Sequence, residues 1–120
     1  MGAGLSKNRI KGLSASVDQN SAVLILGTLP GRMSLTYGKY YADPSNKFWD
    51  ILFIACGEKI DKTDQGKKQL LEKYHIALWD ILYSAVRKTS NDKDISDETP
   101  NNLPLFLSQY PNIKLLIFHS

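Results

Sequence analysis

Three short apolar runs, Ser21-Ala-Val-Leu-Ile-Leu26, Ile76-Ala-Leu-Trp79 and Ile113-Lys-Leu-Leu-Ile-Phe118, constrain the fold of this chain more than any other feature. Each run is continuous rather than alternating and rich in branched residues, the pattern of a strand covered on both faces. Stretches with helical character separate them. Phe48, Trp49, Ile51, Leu52 and Ala55 recur at helical spacing between a polar start at Ser45 or Asn46 and a stop at Gly57, which predicts a helix over 46–56. Residues 66–74 predict a second, more exposed helix, and 103–109 a third with Pro104 in its first turn. Strands alternating with helices give a three-layer α/β/α fold around a small parallel sheet. Residues 1–20, polar and rich in Ser, Gly and Lys, are expected to be an irregular arm, and 21–120 one α/β domain. Residues 80–86 are expected to form a brief helical turn and 87–102 a solvated loop.

Composition narrows the setting. No apolar run approaches the roughly 20 residues that span a bilayer, so a membrane protein is not expected. The N-terminus lacks the apolar centre of a signal peptide, and the one cysteine, Cys56, cannot form an internal disulfide, which together favour a reducing, intracellular (cytoplasmic) compartment; a monomer is expected. Lys and Arg exceed Asp and Glu by 15 to 12. A net charge of +3 is compatible with a polyanionic partner and equally with a solvated lysine face.

The segment from Gly27 to Ser45 has too much Gly, Pro and Tyr for regular structure and is long for a connector, which marks it as functional. It follows the first strand, and in an open parallel sheet ligands bind beyond the carboxyl ends of the strands. Gly27-Thr28-Leu29-Pro30-Gly31 has neither a Gly-Lys-Ser/Thr ending nor Gly-x-Gly-x-x-Gly spacing, so ATP and NAD are not expected. Tyr40 and Tyr41 offer ring faces for a nucleobase, while one of them can instead pack under the loop. The Asn46 side chain carries a donor and an acceptor, and can cap the helix or orient a water and read a base edge. Two histidines and one cysteine without ligand spacing predict no metal site. His75 reads as a turn residue, Cys56 as an apolar filler and Trp49 and Trp79 as core, while Asp80 could cap or hold the site loop but reads first as structural.

The segments LILGTLPG, YYADPSNKFW, ALWDIL, VRKTSND and NNLPLFL, in that order before an apolar strand, resemble the uracil-DNA glycosylase superfamily, in particular its mismatch-specific and hypoxanthine (deoxyinosine) branch. The resemblance implies a monofunctional DNA-repair glycosylase that flips a deaminated base, hypoxanthine or uracil, out of DNA and hydrolyses its N-glycosidic bond without a cofactor. It places Asn46 as the catalytic amide, Tyr41 against the base, and Gly27, Thr28, Leu29, Pro30, Gly31 and Phe48 around the base pocket. Arg32, Ser34 and Lys47 become candidates for the DNA backbone, with Ser34 alternatively holding the loop; read from the residues alone, Arg87, Lys88, Asn91 and Asp92 could approach the backbone or be exposed loop charge. Two departures stand out. Mismatch-type relatives resemble Gly-x-Asn-Pro-Gly, and Leu29 replaces an asparagine that could activate water. Relatives also continue past the third strand into a helix, a strand and a Ser/Pro-rich loop, so the chain is expected to be an N-terminal portion that ends after Phe118-His119-Ser120. A catalytically inactive nucleic-acid-binding fragment and a small nucleotide- or anion-binding α/β protein remain alternatives.

Overall fold

The computed structural model describes residues 9–88 and 95–119. Strand β1 is Arg9–Lys11 and β2 is Val23–Gly27; helices α1 (Arg32–Tyr37), α2 (Phe48–Ala55) and α3 (Asp64–Tyr74) follow. Strands β3 (Ile76–Asp80), β4 (Leu82–Arg87) and β5 (Ile95–Pro100), helix α4 (Leu103–Gln109) and strand β6 (Leu115–Phe118) complete the order.

The three apolar runs form one parallel sheet in the order β3-β2-β6, with Leu24 opposite Ala77 and Leu116. Because side chains alternate along a strand, β2 supplies both faces of the core. Ile25 packs with Leu78 under Phe48, Trp49 and Phe53 of α2 and Leu70 of α3. Leu24 and Leu26 turn the other way, against Phe106 of α4 and Ile113. Leu24 is completely buried and Leu26 is 1% exposed, so the expected central strand is the covered one. Helix α3 starts where the Thr63 hydroxyl accepts from the Gly66 N–H at 3.0 Å. It ends at His75 in a left-handed conformation, the turn role expected of this residue.

Four local expectations are corrected. The supposed helical turn at 80–86 is strand β4, antiparallel to both β1 and β5 in a second three-stranded sheet. Leu82 and Ala85 on β4 pack with Leu29 in a small core of their own, and that burial outweighs local helix preference. The arm is not wholly irregular, since Arg9–Lys11 pairs with β4 and Ser16 bridges to Leu78. Likewise the solvated loop at 87–102 contains β5, and the segment after Gly27 contains helix α1.

Candidate active site

Strand β2 ends at Gly27, where the chain leaves the sheet as the Thr28–Gly31 loop. A Cβ at Gly27 would lie 2.5 Å from Asp80 Oδ1 and 3.3 Å from Tyr41 Oη, so only glycine lets the strand end approach these groups. The loop is tied on its other side to the start of β4. The Ile81 N–H donates to Gly27 O at 2.8 Å and the Leu82 N–H to Thr28 O at 3.1 Å. Arg87, 5% exposed, reaches from β4 and donates from Nη2 to Pro30 O at 2.5 Å. Leu29 itself turns into the core of the second sheet. Ser34 is buried, and its hydroxyl accepts the Ala42 N–H at 3.2 Å, pinning α1 to the turn that carries the tyrosines.

That turn divides the work of the two rings. Tyr40 donates from its hydroxyl to Ser14 O at 2.9 Å, and its carbonyl accepts from Trp49 Nε1 at 3.0 Å, so it anchors the N-terminal segment to α2. Tyr41 has a left-handed backbone, φ 52°, an unusual conformation for a bulky residue and a common one at functional sites. Its ring stacks on Phe48 at 3.7 Å between centroids, 16° from parallel, with the His119 ring edge-on at 5.2 Å. Phe48, 7% exposed, is therefore the support behind Tyr41. Burial first, and then the nearby Asp80 carboxylate, push both tyrosine hydroxyls far above their ordinary pKa, so they remain neutral donors.

These parts enclose a cavity of about 560 Å³, within the range of small-molecule sites. Its walls include Thr28, Gly31, Tyr41, Asp43, Asn46 and Asp80. Asp80 is 4% exposed and marks the deep end, while Asp43 and Asn46 are exposed and mark the mouth. Asn46 uses Oδ1 to accept the Phe48 N–H at 2.8 Å. The bond fixes the rotamer at the start of α2 and leaves the NH₂ of Asn46, a residue of the cavity lining, as an available donor. The two roles open to Asn46 in the sequence are thus compatible. Among the described residues no three His, Cys, Asp or Glu side chains converge as metal ligands would.

Of the other candidates, Leu29, Pro30 and Arg32 also line the cavity. Lys47 stands outside that lining, with Nζ 3.9 Å from Asp50 Oδ2. Asn91 and Asp92 lie outside the described residues. Sequence reasoning understated Asp80, although its position after a parallel strand was the signal. It did not single out Asp43, and it missed Arg87 as the strap across the loop, for which no local pattern exists.

A family model described as the uracil DNA glycosylase superfamily matches residues 15–118. Hypoxanthine DNA glycosylases of Methanosarcina barkeri (strain Fusaro) and Methanosarcina acetivorans are each 34% identical over 110 residues, 91% of this chain and 70% of theirs. A solution NMR structure from Methanosarcina acetivorans, provisionally described as a uracil DNA glycosylase, superposes with a TM-score of 0.82 at 33% identity, covering 93% of this chain and 70% of its own.

Proposed function

The chain belongs to the uracil DNA glycosylase superfamily, and from that premise we propose that it is a DNA-repair glycosylase that releases hypoxanthine from DNA. Uracil is the second candidate base. The observation that carries the reading is the convergence of the Thr28–Gly31 loop, the Tyr41 ring and the Asn46 amide on one cavity beyond the carboxyl ends of the parallel strands.

The reaction asks for few groups. A flipped base must be held out of the stack, at a cost of a few kcal/mol that is smallest where pairing is already weak. The Tyr41 ring offers a stacking face worth about 1–3 kcal/mol per base, and Phe48 behind it keeps that face in place. As the N-glycosidic bond breaks, the base gains negative charge and the sugar positive charge. Donors fixed beforehand lower that barrier most, because they need no reorganisation when the charge appears. The Asn46 NH₂, oriented by the Oδ1 bond to Phe48, is such a donor, and the N–H groups of the Thr28–Gly31 loop are a second set. Relatives named for hypoxanthine make that base the first choice. Arg32 at the cavity wall and the exposed Lys47 would meet the DNA backbone.

The test is base release from duplexes that carry hypoxanthine or uracil, with free base measured by chromatography and the abasic strand by alkaline cleavage. Release of free hypoxanthine with an alkali-labile strand is expected. DNA binding that is salt-sensitive and never accompanied by base release would instead identify a binding module.

A further inference from the structure

We propose that Asp43 is a catalytic carboxylate of this site, holding the water that attacks the anomeric carbon and facing the cationic sugar as the base departs. The inference rests on the glycosylase reading and supplies what that reading leaves open, the acceptor for the attacking water. Asn46 offers a donor, and Leu29 is turned into the core of the second sheet.

Depth in the cavity separates the two carboxylates that line it. A flipped nucleotide enters base first, and its sugar stays at the opening because the phosphates tether it to the strand. Of the two carboxylates lining the cavity, Asp80 is 4% exposed and lies where the base would go. Asp43 is exposed and lies at the mouth, on the same turn as Asn46, whose N–H donates to Asp43 O at 2.9 Å. The Asp43 side chain is held in place on one side only. Oδ1 accepts the Ser45 N–H at 2.9 Å and the Ser45 hydroxyl at 2.8 Å, while Oδ2 has no partner among the described residues. One oxygen thus fixes the carboxylate and the other is open to water. The same two bonds hold the group ionised, with its pKa below the ordinary value.

In the step itself the C1′–N bond breaks and its electron pair leaves with the base. A water oxygen then donates a pair to C1′, and the water proton passes to Asp43 Oδ2 and on to solvent. The departing base takes up a proton from solvent, so the products are the free base and a 1′-hydroxyl sugar. A weakly basic carboxylate suffices, because a cationic carbon is attacked readily once water is in position.

The ordinary alternative is that Asp43 only shapes the turn, and Asp43→Asn separates the two, since an amide oxygen can still accept both Ser45 bonds. Single-turnover release of hypoxanthine from a duplex should fall about 100- to 1,000-fold in Asp43→Asn. Affinity for an uncleavable 2′-fluoro-deoxyinosine duplex should be unchanged or higher, because a negative charge has been removed near the phosphates. Ser45→Ala removes the hydroxyl bond to the carboxylate and keeps the Ser45 N–H bond, so its rate should fall far less than that of Asp43→Asn. Asp43→Asn at the wild-type rate would overturn the proposal and leave the glycosylase reading intact. Equal losses in Asp43→Asn and Ser45→Ala, or a loss of DNA affinity that matches the loss of rate, would assign Asp43 to the turn alone. No release by the wild-type chain from hypoxanthine or uracil would defeat both readings together.

Discussion

At the scale of single residues, the site depends on how closely a strand end and a carboxylate approach. Gly27 pairs with Asp80 of β3 and its carbonyl accepts the Ile81 N–H, so its backbone cannot readily retreat from a new methyl group set 2.5 Å from Asp80 Oδ1. Gly27→Ala is predicted to cost about 1–3 kcal/mol in urea denaturation, the usual range for overpacking, and to slow base release as Asp80 and Tyr41 are displaced. The sequence announced this loop through its glycines and proline, and it announced Asn46 through its place before an amphipathic helix. It could not announce which way side chains turn. Leu29 lies in the motif yet packs beneath the second sheet, and Tyr40, beside Tyr41 at the cavity, also anchors the N-terminal segment through its hydroxyl. Those choices are made by residues far away in the chain.

At the scale of elements, β4 shows both the reach and the limit of pattern reading. The three strands of the parallel sheet were legible because double burial leaves a continuous apolar run. Strand β4, LYSAVR, has no such run, and its partners β1 and β5 are recognisable only after pairing. A contact between Arg9 and Val86 has no local signature. The element matters for function because it carries Arg87, whose guanidinium reaches the Pro30 carbonyl. Arg87→Met leaves that buried carbonyl without this donor, and a loss of about 1–3 kcal/mol in urea denaturation is expected, with faster amide exchange at Thr28 and Gly31. Helix α3 offers a simpler check. Thr63→Ala removes the side-chain acceptor for the Gly66 N–H and should cost about 1 kcal/mol by the same measurement.

At the scale of the whole molecule, stability comes from the sheet covered on both faces and is modulated by surface carboxylates. Leu24→Ala in the centre of β2 is predicted to cost about 2–5 kcal/mol in urea denaturation. Asp43, Asp50, Glu58, Asp61 and Asp64 are held below their ordinary pKa values, 3.8 for aspartate and 4.5 for Glu58, chiefly by hydrogen bonds from Ser45, Lys62, Lys73, Thr63 and Lys39 in turn. The unfolded chain therefore binds protons at a higher pH than the folded one. The stability these groups add is present above the ordinary values and is lost as pH falls from there through the lower folded values. The melting temperature should be nearly flat from roughly pH 7 to 5 and decline below about pH 4. Function at this scale comes down to whether the cavity beyond the strands, with its oriented amide, breaks a glycosidic bond. The direct measurement is the single-turnover rate of hypoxanthine release by the wild-type chain and by Asn46→Ala, with the melting temperature of each recorded alongside. A fall of about 100-fold or more in a variant that still melts cooperatively is the predicted result; release by Asn46→Ala at the wild-type rate would contradict the assignment of this amide to the chemistry.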